Sequence, residues 1–170
     1  MNIEITVDGE THSADADPRV VLTHWLRSVG KTGVHVGCDT TACGACTVLL
    51  DGVAVKSCTM LTVQANGRAV ETIHGLTPDE VLSPIQESFS AEHGTQCGFC
   101  TPGFIVMATA LLRDNPDPTR EQIIEGLEGN ICRCTGYVGI IRAVEHAAAA
   151  MRGEPIPIRA GLAHDQPVER

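Results

Sequence analysis

The chain is poor in aromatic residues: one Trp, one Tyr and three Phe among 170. With 43 % hydrophobic content it can still bury a core, and that core must be aliphatic. No stretch approaches the roughly 18 consecutive apolar residues that a membrane span requires. The opening MNIEITVDGE has neither the basic start nor the apolar run of a secretory leader. The expectation is a cytoplasmic protein, at most peripheral to the inner face of the membrane. There is no G-x-G-x-x-G and no P-loop lysine, which excludes both of those routes to a nucleotide. The histidines (His12, His24, His35, His74, His93, His146 and His164) form no helical i, i+4 pair and read as surface or packing residues. No Ser–His–acid set and no carboxylate pair suggests a substrate site. Twelve basic residues against 21 acidic ones give a net charge of −9, which argues against nucleic acid and anionic membrane surfaces.

What is present is sulfur, in two separate groups of four with no cysteine left over. Cys38, Cys43, Cys46 and Cys58 give C-x4-C-x2-C and a later fourth cysteine, the spacing of a plant-type [2Fe–2S] site. Zinc ribbons pair their ligands as two C-x2-C knuckles, which Cys38 and Cys43 do not match. Gly33, Gly37 and Gly44 crowd this loop, where the backbone must curl and aim N–H groups at anionic sulfur. Cys97, Cys100, Cys132 and Cys134 give C-x2-C, a long gap and C-x-C. Each of these pairs immediately precedes a predicted helix, whose N-terminus favours a bound anion and tends to raise a cluster's potential. Spacing alone leaves a four-cysteine zinc site open for this second quartet.

The first half reads as β. Ile3, Ile5 and Val7 alternate with polar residues before an Asp8-Gly9 turn. Val20 to Val29 carries a helical stripe with Trp25, closed by Gly30. Thr47–Leu50 and Val53–Val55 flank Asp51-Gly52, and a last strand is expected near Ala69 to Ile73. The second half reads as four helices, opened by Ser83-Pro84, by Thr101-Pro102, by Thr119 with Gln122, and near Tyr137. Asp79, Glu80 and Glu87 read as dipole partners of helix starts, and Met107 and Met151 as parts of a core stripe. The expectation is α+β: a β-grasp plant-type ferredoxin domain over residues 1–76, a four-helix [2Fe–2S]-binding domain over 77–153, and an irregular tail over 154–170.

Three stretches then carry a family resemblance: Gly37 to Val48, Gln96-Cys97-Gly98-Phe99-Cys100-Thr101-Pro102-Gly103, and Gly129-Asn130-Ile131-Cys132-Arg133-Cys134-Thr135-Gly136-Tyr137. They resemble the small iron–sulfur subunit of molybdenum hydroxylases, the xanthine oxidase family. The resemblance implies two [2Fe–2S] clusters here, a molybdopterin cofactor on a large partner subunit and FAD on a medium one. A dimer of such heterotrimers is expected. It further implies electron flow from molybdenum to the Cys97/Cys100/Cys132/Cys134 cluster, to the Cys38/Cys43/Cys46/Cys58 cluster, to flavin. Gln96 corresponds to a family glutamine that hydrogen-bonds the pterin, against a plain reading as a turn-capping amide. Cys134 is expected on the pterin side, and Arg133 as a structural charge partner. The loop Cys38-Asp39-Thr40-Thr41-Ala42-Cys43 and the stretch Val55 to Met60 look more like the aerobic carbon monoxide dehydrogenase group.

Overall fold

Alternation places Ile3, Ile5 and Val7 on one buried face of strand β1 (Asn2–Val7) in the computed structural model, which describes residues 1–77 and 81–154. β1 pairs antiparallel with β2 (Glu10–Asp15) from Asn2↔Asp15 to Val7↔Glu10. The connecting Asp8 and Gly9 take φ of 51° and 85°, the left-handed pair that matches strand twist in a two-residue hairpin. Asp51 and Gly52 repeat this at 49° and 85° between β3 (Thr47–Leu50) and β4 (Val53–Lys56). With β5 (Ala69–Glu71) the strand order is β2-β1-β5-β3-β4. Only the β1–β5 contact is parallel, so the sheet is mixed, as expected of a β-grasp unit.

Two elements are shorter than their sequence patterns. Helix α1 spans Leu22–Ser28 rather than beginning at Val20, because Val21 bridges Leu61 and Val20 O accepts the Thr62 N–H. β5 ends at Glu71 because the Thr72 N–H turns to Asp8 Oδ1 at 2.6 Å. In both cases a distant segment outcompetes local propensity.

Four helices follow: α2 (Pro84–Ala91), α3 (Thr101–Asp114), α4 (Arg120–Leu127) and α5 (Tyr137–Met151). Ser83/Gln86 and Thr119/Gln122 form the capping boxes that open α2 and α4. Glu87 lies in the first turn of α2, whereas Asp79 and Glu80 fall outside the described residues. Trp25 is buried and Met107 packs against the core, but Met151 is 55 % exposed at the last turn of α5 and belongs to no stripe. The expected 76/77 junction adjoins residues 78–80, which are also not described, nor is the tail from 155 onward.

β3 positions everything else. All four of its residues are buried, because both faces of the sheet are covered. Val48 and Leu50 join Ile5, Leu22 and Leu26 in one core, while Leu49 points the other way into a core with Phe104, Leu112 and Ile140. The α helices therefore pack directly on the sheet through α3.

Asp8 locks the β1–β2 turn to the start of the junction. Its carboxylate is 5 % exposed, 3.2 Å from Lys31 Nζ, and accepts both the Thr72 N–H and the Thr72 hydroxyl. Removing one partner of a buried pair strands the other, at a cost of about 3 kcal/mol. Asp8→Ala should lower the denaturation midpoint accordingly. Asp8→Asn, which keeps one acceptor oxygen for the Thr72 N–H and tolerates positive φ, should cost less in the same urea titration.

Candidate metal centres

The first quartet hangs on the loop between α1 and β3. Asp39, Thr41 and Gly44 adopt positive φ of 53°, 64° and 71°, so the curl expected of glycines is shared with an aspartate and a threonine. Gly33 and Gly37 do not take this conformation and serve by being small; a Cβ on Gly37 would lie 3.0 Å from Cys43 Sγ. Thr40 and Cys43 N–H groups both point at Cys38 Sγ, each at 3.4 Å. Hydrogen bonds from Thr40 and then from Cys43 pull the Cys38 thiol down to about 6. Cys58 sits in a 3-10 turn after β4, where Ser57 N–H and hydroxyl both bond Cys46 O and hold Cys58 beside Cys46. Burial pushes Cys46 up to about 11.

The second quartet gathers two helix starts. Cys100 is the residue before α3, and Cys132 and Cys134 lie just before α5. Gly136 N–H donates to Cys132 Sγ at 3.2 Å, and Cys132 N–H donates to Tyr137 Oη at 2.9 Å. The Phe99 N–H and then Cys134 lower the Cys97 thiol, whereas burial pushes Cys100 up to about 12. A thiol raised by burial releases its proton when a metal cation takes its place on the sulfur, and iron would supply that cation here.

Within each quartet the thiols act on one another electrostatically, Cys38 with Cys43 and Cys46 with Cys58 in the first, Cys97 with Cys134 and Cys100 with Cys132 in the second. Among the described residues no group of three or more His, Cys, Asp or Glu is placed to hold a single metal ion. The four-thiol donor sets and the N–H groups aimed at Cys38 and Cys132 fit a [2Fe–2S] cluster, which each quartet would hold through its four sulfurs.

A junction that sequence reasoning missed joins the two quartets. Ile131 N–H donates to Cys43 O at 2.9 Å, and Asn130 Nδ2 to Gly44 O at 3.1 Å. Lys56 Nζ donates to Gly129 O, Asn130 Oδ1 and Thr47 Oγ1 at 2.6, 3.2 and 3.3 Å. Burial pushes Lys56 below the usual lysine value, opposed by the sulfurs of the first quartet, Cys46 foremost. His35 stacks on Phe99 at 4.8 Å and its Nδ1 lies 2.7 Å from Phe99 O, tying the two cysteine loops a second time. Asn130 and Phe99 stand inside the quoted motifs, but nothing local marks them as bridges.

Gln96 is exposed and lines an open cavity of about 370 Å³ with Thr135, Gly136 and Arg142. No hydrogen bond within the described residues holds its amide, so it does not cap a turn. Arg133 is exposed and makes no ion pair among the described residues. His74 accepts the Gly33 N–H at Nε2, as a packing histidine should.

The halves approach closely at Gly103, where a Cβ would stand 2.2 Å from Gly44 O. Backbone cannot yield as a side chain can, so Gly103→Ala must lift the start of α3 off the first loop. The variant should lose about 3 kcal/mol of stability and bind less iron at both quartets, checked by denaturation and metal analysis.

Residues 5–72 match a 2Fe-2S iron-sulfur cluster binding domain and residues 72–145 a [2Fe-2S] binding domain. The chain is 48 % identical over 145 residues to the nicotine 6-hydroxylase small subunit of Paenarthrobacter nicotinovorans, covering 85 % of this chain and 87 % of that one. It is 42 % identical to the xanthine dehydrogenase iron-sulfur-binding subunit of Escherichia coli O157:H7, covering 85 % and 92 %. The solved quinoline 2-oxidoreductase of Pseudomonas putida 86 superposes with a TM-score of 0.85 at 44 % identity, over 91 % of this chain and 98 % of its own. The aldehyde oxidoreductase of Desulfovibrio gigas gives 0.85 at 42 %, over 90 % of this chain but 17 % of that longer one. With both domain types in order and relatives this similar over nearly their whole length, the chain belongs to the small iron–sulfur subunits of the molybdenum hydroxylase, or xanthine oxidase, family.

Proposed function

We propose that this chain carries electrons from a molybdopterin centre on a large partner subunit, by way of the Cys97/Cys100/Cys132/Cys134 centre and then the Cys38/Cys43/Cys46/Cys58 centre, to FAD on a medium subunit. The observation that carries the reading is that two loops of cysteines aim N–H groups at sulfur and are joined by the Ile131 N–H···O=C Cys43 bond. When bound, two [2Fe–2S] clusters supply one-electron redox chemistry. The chain's own residues then hold and insulate. Cys46, Cys58 and Cys132 are buried and exclude water, while Cys97 is exposed and Cys134 half-buried at the outer side of the helical unit.

That outer side fits the large subunit. Phe99, Ile131, Tyr137 and Val138 flank the second quartet in sequence and are all exposed, Val138 at 57 %. Apolar side chains left open beside a redox centre suit burial by a partner. Gln96, with its amide unengaged beside the open cavity, is the residue proposed to meet the pterin, and Cys134 the sulfur on that side. The β-grasp unit is taken as 1–76 and the helical unit as 77–153, in a dimer of heterotrimers.

For the substrate of the complex we favour an N-heteroaromatic compound, since the nicotine, xanthine and quinoline enzymes named above act on such rings. Carbon monoxide is the second reading, favoured by the Cys38-Asp39-Thr40-Thr41-Ala42-Cys43 loop, and an aldehyde the third. No helix among the described residues is long and apolar enough to cross a membrane.

Metal analysis of the native complex should find about two irons and two acid-labile sulfides per quartet; zinc without sulfide would sink the reading. An N-heterocycle, rather than carbon monoxide or an aldehyde, should bleach the iron–sulfur absorption. Cys97→Ser should block flavin reduction by substrate yet leave the plant-type paramagnetic signal intact. Flavin reduced at the normal rate in that variant counts against the relay order.

A further inference from the structure

Lys56 stands at a place where a neutral side chain would suffice to fill space, yet it offers a charge. It ends β4 opposite Thr47, two residues before Cys58 and across the ladder from the residue after Cys46. An ammonium has three N–H donors. Lys56 meets three acceptors, Thr47 Oγ1, Gly129 O and Asn130 Oδ1, and the surroundings are therefore built for the protonated form. All three acceptors are neutral. Among the described residues no carboxylate pairs with Lys56, and its bond to the hydroxyl of Thr47, the residue after Cys46, sets its charge beside the first loop. Asn130 relays the same contact onward, donating from Nδ2 to Gly44 O between two ligands of the first quartet.

We propose that Lys56 is a positioning residue with two effects: it pins the Gly129–Asn130 segment against the first loop, and it raises the reduction potential of the first centre. This rests on the reading of that quartet as a [2Fe–2S] site. Reduction adds one negative charge to the centre, and a fixed positive charge within its field stabilises the reduced state more than the oxidised one. The effect falls on the downstream centre of the relay and draws electrons towards it. It falls on the first centre because β4 carries Lys56 two residues before Cys58 and opposite the residue after Cys46, whereas its contacts on the helical side are to the neutral Gly129 and Asn130.

The test is a potentiometric titration of the assembled complex, following the paramagnetic signal of each centre separately. Lys56→Met removes charge and hydrogen bonds, Lys56→Gln keeps an N–H donor without the charge, and Lys56→Arg keeps the charge. Both neutral variants should raise the oxidised-to-reduced ratio of the first centre about tenfold at a fixed poise, equivalent to about 59 mV for one electron. The second centre should not move, and Lys56→Arg should titrate as the wild type does. A first centre whose curve is unchanged in Lys56→Gln overturns the proposal, as does an equal shift of both centres. Where Lys56→Met sheds iron, Lys56→Gln decides; loss of iron from both leaves a clamp alone and the proposal fails. A wild-type complex without iron overturns the underlying reading of the centres, whereas iron with an unmoved potential overturns this inference only.

Discussion

Gathering anionic sulfur inside a protein is the constraint from which the rest of the architecture follows. Each quartet concentrates negative charge where solvent is thin, and burial opposes it, as the raised thiols of Cys46 and Cys100 report. The chain answers with fixed donors. N–H groups of Thr40, Cys43 and Gly136 aim at sulfur, two helix starts face the second quartet, and a lysine stands beside the first. Loops that aim so many amides inward cannot pair as strands or helices, which explains why both quartets lie between regular elements.

These loops need scaffolding that does not move, and the two halves provide it for each other. The β-grasp sheet is covered by α1 on one face and by α3 on the other, so the helical half is a second layer of one body. The Gly129–Ile131 segment reaches from the helical side to the first loop through side-chain and backbone hydrogen bonds. The two cysteine loops are thereby tied together by groups no more than three residues from a ligand.

Local chemistry was legible in the sequence, and non-local chemistry was not. Both Asp-Gly turns and both capping boxes appear where their residues predict, because each is decided within four residues. The eight cysteines announced two sites by spacing. What ties the two cysteine loops together was hidden, since the Ile131 N–H and Cys43 O that meet stand 88 residues apart in the chain. The early end of β5 depends on Asp8, and the late start of α1 on Leu61, neither of which a window along the chain can see. Lys56 looked like any residue of an exposed strand end, and its importance comes from three acceptors, two of them more than 70 residues away.

Strand β3 gives fully buried residues to both cores. Successive residues in a strand face opposite ways, so Val48 and Leu50 serve one core while Leu49 serves the other. A slip of one residue in its pairing would hand Leu49 to α1 and offer its two neighbours to α3, emptying both interiors in a single stroke. Insertions and deletions should therefore be far rarer along these four residues than in the exposed Asp51-Gly52 turn beside them, and lineages of this protein should vary in side chain there but not in length.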